Sequence, residues 1–153
     1  METPISPVEE FLRHLRQERN LSSHTTRAYG GDLQKFTAFL GGETALLNGA
    51  DTDTVRRFLS QLHAEGYGKT STARLLACLR TFYDFFLQQG RVGEHPVRRV
   101  RSPRLDKRLP DFLEEEEMTR LLDAAAGEGF AARRDHSLLE SLYGGGLRVS
   151  EAT

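Results

Sequence analysis

The sequence predicts an all-α protein in which a compact four-helix domain is followed by a basic linker and the first helices of a second domain. Two observations carry this prediction. Apolar residues recur at spacings of three and four through most of the 153 residues, and no run of alternating β-branched residues is long enough for a strand. Breaks that contain glycine or serine separate the helical stretches, and three prolines interrupt the chain between residues 96 and 110.

The first two predicted helices are opened by serine. A Ser-Pro-x-Glu sequence at residues 6–9 is the capping pattern of a helix over residues 7–19. A second helix is predicted over residues 22–40, opened by a serine pair and ended by two glycines. A further glycine pair at residues 30–31 costs about 1 kcal/mol per residue inside a helix, which permits a kink there.

The next two predicted helices hold most of the candidate core. An Asp-Thr pair at residues 51–52 can cap a third helix that ends before Gly66. A fourth helix is predicted over residues 69–90, and it carries the broadest apolar stripe in the chain. Cys78 lies within this stripe and is interpreted as a small buried apolar residue. The four helices together predict one compact domain over residues 1–95.

Residues 96–110 are predicted to form an extended basic linker. Six basic residues and one acidic residue lie between residues 98 and 108. The whole chain has 21 basic and 22 acidic residues, and its net charge of −1 taken alone argues against nucleic acid as a partner. Residues 1–105, however, carry +4 and the remainder carries −5, so the neutral total conceals a basic N-terminal part.

Residues 111–153 predict the beginning of a second helical domain. Helices are predicted over residues 114–126 and 133–143, and four glutamates open the former, where negative charge suits the helix dipole. Residues 147–151 have the pattern of another helix start. The chain has one cysteine, no signal-peptide pattern and no apolar run of about 18 residues, which predicts a cytoplasmic protein without disulfide or membrane span.

Three motifs resemble a known family. Residues 21–36 contain Leu-Ser-Ser-His-Thr-Thr-Arg-Ala-Tyr followed by Asp-Leu and Phe, and residues 69–83 contain Lys-Thr-Ser-Thr-Ala-Arg and Leu-Arg-Thr-Phe-Tyr. Both resemble the N-terminal core-binding, SAM-like domain of tyrosine recombinases. Residues 133–151, which end in Gly-Leu-Arg-Val-Ser-Glu, resemble the first conserved box of the catalytic domain of that family. The chain is thus similar to Xer-type recombinases and phage integrases over nearly its whole length.

The resemblance implies breakage and rejoining of DNA through a 3′-phosphotyrosine link, without metal or cofactor. Arg148 matches the first of two family arginines around the scissile phosphate, where a planar fork of donors stabilises transition-state charge. Glu151, three residues on, falls on the same helical face and can orient Arg148. The family's lysine, His-x-x-Arg box and nucleophilic tyrosine all lie beyond this box, so the chain alone is expected to bind DNA without cleaving it.

The resemblance also implies a double-stranded recombination site as partner, clamped between two domains, and further recombinase protomers in a tetramer. Polar residues that open the second and fourth helices would meet phosphates through side chains and helix N-terminal amides. The linker arginines would add salt-sensitive contacts. The predicted DNA contacts are Ser22, Ser23, Thr25, Thr26, Arg27, Lys69, Thr70, Ser71, Arg74, Arg98, Arg99, Arg101 and Arg104.

Alternatives stay open at this point. A non-catalytic helical module that binds DNA or protein is the main rival, and a decayed gene is another. Chromosome-dimer resolution is favoured over phage or transposon integration, although the motifs do not separate them. Two further His-x-x-Arg matches, at His24 and His95, are interpreted as chance because arginine is abundant and their positions differ from those in the family.

Overall fold

The computed structural model describes residues 5–17, 19, 21–105 and 111–152, and every regular element within these ranges is a helix. The prediction of an all-α fold is confirmed. The chain divides into two compact units, Met1–Asp106 and Lys107–Thr153. None of the helices in the described ranges is long and apolar enough to cross a membrane.

The first unit contains one helix more than the sequence predicts. The additional helix, α3, has five residues and buries Leu46. A segment this short cannot show a helical period, which explains why the pattern did not reveal it. The end predicted for α1, at residue 19, cannot be compared because residue 18 lies outside the described residues. The helices of this unit are α1 (Pro7–Gln17), α2 (Ser23–Leu40), α3 (Thr44–Asn48), α4 (Thr52–Ala64) and α5 (Lys69–Gln88).

Side chains predicted as caps begin three of these helices, and at α1 the Ser6 Oγ accepts from the backbone N–H of Glu9 at 3.2 Å. Ser22 is the N-cap of α2, and its Oγ accepts from the backbone N–H of Thr25 at 3.2 Å. Asp51 is the N-cap of α4, and its Oδ1 accepts from the backbone N–H of Thr54 at 2.7 Å. Each bond satisfies a first-turn amide that has no partner within the helix. The structure therefore selects the first member of each pair of candidate caps.

The core of the first unit is built around α5. Phe82 is fully buried, and its ring lies 5.3 Å from that of Phe11, 5.2 Å from that of Tyr83 and 4.8 Å from that of Phe86, centroid to centroid. The Tyr83 hydroxyl donates to the Leu46 carbonyl at 2.8 Å, which ties α5 to α3. These edge-on and tilted ring contacts add to the apolar area that the core removes from water. Cys78 is fully buried, as predicted.

The glycine pair of α2 lies in an uninterrupted helix. A Cβ atom at Gly30 would lie 3.3 Å from Leu12 Cδ1, so the absence of a side chain lets α1 pack closely on α2. A Cβ atom at Gly31 would meet no atom of the described residues within 4 Å. Gly30 therefore allows close packing of α1 on α2. The helix continues through the glycine pair, where the sequence permitted a kink.

The segment predicted as an extended linker folds onto the first unit over its first part. Val97 is fully buried and Val100 is 7% exposed, and both belong to the core of this unit. The prediction of an extended chain from residue 96 is therefore wrong for residues 96–100, because two valines spaced by three reach the core. The first unit consequently ends later than the predicted boundary at residue 95. Residues 106–110 of the predicted linker, including Lys107 and Arg108, lie outside the described residues.

The second unit contains α6 (Glu115–Ala125), α7 (Phe130–Gly145) and a 3₁₀ turn at Val149–Glu151. α7 begins three residues before its predicted start and ends two after its predicted end, while the helix start predicted at residues 147–151 is this short turn. The His136 Nδ1 atom lies 3.1 Å from the Leu122 carbonyl and links α7 to α6. Apolar side chains such as Phe130, 84% exposed, and Tyr143, 54% exposed, lie at the surface.

Candidate DNA-binding surface and catalytic arginine

Arg148 and Glu151 form a pair at the 3₁₀ turn. The Arg148 backbone N–H donates to Glu151 Oε2 at 2.8 Å, and Arg148 Nη1 donates to Glu151 Oε1 at 3.1 Å. The Arg148 side chain is 82% exposed, so the guanidinium presents donors to solvent while one of them is held by the carboxylate. The structure thus brings together the two residues that the sequence paired. Their catalytic roles stay a prediction.

The predicted DNA contacts at the N-terminus of α2 are of two kinds: some side chains are exposed, and others are hydrogen-bonded within the helix start. Ser23 and Arg27 are exposed, whereas the Ser22 and Thr25 hydroxyls lie 3.0 Å apart and bind each other. Thr26 is only 2% exposed, and its hydroxyl donates to the Ser23 carbonyl at 3.1 Å. Thr26 is therefore removed from the candidate contacts, because its side chain is buried and its hydroxyl is used within the helix.

Among the described residues, no side chain caps the N-terminus of α5. Gly68 precedes the helix and has no side-chain acceptor for the first-turn amides. Lys69, Thr70 and Ser71 all have exposed side chains at this end. A helix end of this kind carries partial positive charge and suits a phosphate oxygen. These three residues therefore stay candidates for DNA contact.

Arg74 has a structural partner that the sequence did not indicate. Its Nη2 atom lies 3.1 Å from Oδ1 of Asp32, whose side chain is 3% exposed, while that of Arg74 is 43% exposed. Burial raises the pKa of Asp32, whereas the positive charges of Arg74 and Lys35 act in the opposite direction. The second carboxylate oxygen, Oδ2, is buried and has no hydrogen-bond partner within the described residues. Arg74 therefore stabilises a buried carboxyl group, and only its exposed portion is available to DNA.

The stability of the Asp32→Asn variant relative to wild type is expected to rise with pH. Because the folded-state pKa of Asp32 is raised, the folded protein binds this proton more tightly than the unfolded chain does. The corresponding stability is present below about pH 4 and is lost as the pH rises through the folded-state pKa. Asparagine does not titrate, so the variant gains on wild type over this interval. Urea unfolding of both proteins at a series of pH values measures the difference, and a constant difference would contradict the expectation.

The contacts between α2 and α5 lie away from the polar starts of both helices. Asp32 on α2 pairs with Arg74 on α5, and the Tyr29 carbonyl lies 3.6 Å from Cys78 Sγ. At 1.5 Å per residue, the Asp32–Arg74 pair lies about 15 Å along α2 from Ser22 and about 8 Å along α5 from Lys69.

The basic residues after α5 are exposed on an anchored segment. Val97 and Val100 lie among these basic residues in the sequence, and their buried side chains hold the backbone to the first unit. No ion pair neutralises any of these arginines within the described ranges. They therefore form a localised positive surface, named here the arginine segment, that consists of Arg98, Arg99, Arg101 and Arg104.

A groove between α1 and α2 adds a cation that sequence reasoning missed. Arg16 and Arg27 line it together with Ser23, and Gly31 opens its wall. Arg16 is exposed and forms no ion pair with the residues the structure describes. One feature of the sequence could have identified Arg16: no acidic residue lies three or four positions away. Such a neighbour would neutralise an arginine on a helix surface.

Comparison with known proteins identifies the family. Residues 8–90 match the family described as phage integrase, N-terminal SAM-like domain. The chain belongs to this family, as the sequence motifs indicated. No solved structure matches the chain.

The curated relatives identify the branch of the family that the chain resembles. It is 40% identical over 147 residues to the tyrosine recombinase XerC of Pseudomonas aeruginosa, and the matched region covers 94% of this chain and 48% of the relative. It is 38% identical over 156 residues to the tyrosine recombinase XerC of Pelobacter propionicus, and the matched region covers 100% of this chain and 51% of the relative. The chain therefore spans about half the length of the curated relatives it matches.

Proposed function

We propose that the chain acts as the N-terminal part of a XerC-like tyrosine recombinase that functions in the cytoplasm in chromosome-dimer resolution. In this proposal the first unit binds duplex DNA, and the second unit supplies the first catalytic arginine. The observation that carries the DNA-binding role is the arginine segment, four exposed cations held on the first unit without ion-pair partners in the described part of the chain. Similarity to proteins named tyrosine recombinase XerC supports the reaction type.

The arrangement of cations suits backbone contacts. The arginine segment, Arg16, Arg27 and the start of α5 present positive charge and backbone donors at the surface of the first unit, which are the groups that bind phosphate oxygens. Phosphate contacts position a protein on the duplex and make its affinity sensitive to salt. The proposal therefore assigns this unit to holding DNA and the Arg148 box to the scissile phosphate, with a tetramer of protomers as the assembly in which strands are exchanged.

Affinity for a random-sequence DNA duplex is expected to fall steeply with salt. Each phosphate neutralised contributes about −0.9 to the slope of log affinity against log salt. Replacement of one member of the arginine segment, as in Arg98→Gln, is expected to flatten the slope by about 0.9 for that reason. Fluorescence anisotropy at a series of sodium chloride concentrations measures both quantities.

Arg56→Gln is the matched control for this measurement. Arg56 lies on α4 and is paired with Asp53 at 2.9 Å, so its loss changes the charge equally without removing a proposed contact. Its salt slope is expected to equal that of wild type. A flat salt response of the wild-type chain would contradict DNA binding and favour a protein-binding module.

A further inference from the structure

The segment that follows α5 is fastened to the first unit by hydrogen bonds as well as by its two valines. Arg80, on α5, donates from Nη2 to the Val100 carbonyl at 2.6 Å and from Nη1 to Ser102 Oγ at 2.8 Å. One planar guanidinium thus holds two points of the segment in a fixed relation. These bonds use one N–H donor on each terminal nitrogen of Arg80, two of the five donors of the guanidinium.

A second set of contacts holds the beginning of the segment. His95 is 8% exposed, and its Nδ1 accepts from the Val97 backbone N–H at 3.2 Å. The ring proton therefore lies on Nε2, which is 3.3 Å from the Arg80 carbonyl and 3.4 Å from Asp84 Oδ1. The Thr52 hydroxyl donates to the Pro96 carbonyl at 3.0 Å. These bonds involve backbone groups that an extended linker would leave to water.

The anchored backbone determines where the cations lie. Val97 and Val100 are buried, whereas Arg98, Arg99 and Arg101 are exposed. Arg80 binds the carbonyl of Val100, which is directly bonded to the amide of Arg101. Arg80 on α5 therefore contacts the backbone of the segment, while the arginine side chains of the segment face solvent.

We propose that Arg80 is a positioning residue for DNA binding, which holds the segment of Arg98, Arg99 and Arg101 in one arrangement before DNA arrives. This inference rests on the proposed function. Because the backbone is already ordered in the free protein, its conformational entropy is lost on folding and not on binding. In this role Arg80 acts through these arginines, because both of its terminal nitrogens donate to the segment that carries them.

The Arg80→Ala variant distinguishes positioning from direct contact. Its affinity for a random-sequence duplex is expected to be about tenfold lower, since the segment must then be ordered on binding. The slope against salt is expected to stay at the wild-type value, because the variant keeps every proposed phosphate contact. A slope flattened by about one would show that Arg80 contacts phosphate, and an unchanged affinity would show that it positions nothing. Either result overturns the inference.

A double-mutant cycle separates positioning from a general loss of stability. In a background that carries Arg98→Gln, Arg99→Gln and Arg101→Gln, Arg80→Ala is expected to have no further effect on affinity. An equal loss in both backgrounds would indicate a merely structural role and overturn the inference. Circular dichroism at the binding temperature verifies that each variant is folded, and Arg56→Ala serves as the matched arginine control.

Hydrogen exchange tests whether Arg80 orders the segment, and this measurement does not require DNA binding. The amides of Val97 and Val100 are hydrogen-bonded, to His95 and to the Val97 carbonyl, and are expected to exchange faster in Arg80→Ala. Amides in the buried middle of α5 are expected to keep their protection. Absence of DNA binding by the wild-type chain would refute the proposed function, whereas wild-type binding with unchanged exchange in the variant would refute only the role of Arg80.

Discussion

Replacement of Arg148 by alanine in the full-length recombinase proposed above is expected to slow formation of the covalent protein–DNA adduct by about 10³-fold or more. The transition state of phosphoryl transfer gathers negative charge on its non-bridging oxygens. A guanidinium whose orientation is set by Glu151 can meet two of these oxygens at once. Arg148→Lys keeps the charge but loses the planar fork, so it is expected to restore only a small part of the rate. Trapping on a nicked suicide substrate, followed by gel electrophoresis, measures the adduct.

Controls for this experiment come from the same unit. Arg120 lies exposed on α6, so Arg120→Ala is the matched control and is expected to keep the wild-type rate. Glu151→Gln removes the charge that orients Arg148 and is expected to slow the reaction less than loss of the arginine itself. The 153-residue chain alone is expected to yield no adduct. An Arg148→Ala enzyme that forms adduct at the wild-type rate would refute the assignment.

The Phe82→Ala variant is expected to lose about 3–5 kcal/mol of the free energy of unfolding of the first unit. Phe82 is fully buried and contacts three other aromatic rings, so truncation removes apolar contact and leaves a cavity among side chains of α1 and α5. A loss of this size is comparable to the total stability of many small domains. Urea denaturation followed by circular dichroism measures it.

Phe130→Ala is the matched substitution at the surface. Phe130 is 84% exposed at the start of α7, so the same chemical change removes little buried area. The change in unfolding free energy is expected to stay within about 0.5 kcal/mol. Equal destabilisation by the two variants would contradict the core described for the first unit.

Local signals predicted the helices well because each signal acts over three or four residues. Ser22 and Asp51 cap helices where the sequence placed candidate caps, and the apolar stripe of the fourth predicted helix became the core-lining face of α5. The pair of Arg148 and Glu151 was predictable for the same reason, since its members are three residues apart. The short helix α3 was not predictable, because five residues are too few to display a period.

Local patterns did not reveal which of the candidate DNA contacts are exposed and which are already paired, since packing and partners distant in sequence decide both. Thr26 shares the polar opening of α2 with Ser23, yet the former is buried and the latter exposed. Arg74 is separated from its partner Asp32 by 42 positions, a relation that no local pattern reveals. Arg16 was missed because its position beside Arg27 depends on how α1 packs across the glycine of α2.

The sequence by itself determined the all-α class, the helix caps and the family, because these depend on residue types at short and regular spacing. Only the tertiary structure decided that Arg74 of α5 pairs with the buried carboxyl group of Asp32 on α2. It also decided that the basic segment after α5 is anchored by Arg80 and His95. The physical reason is that burial and hydrogen bonding between distant residues follow from packing, and packing is a property of the whole fold.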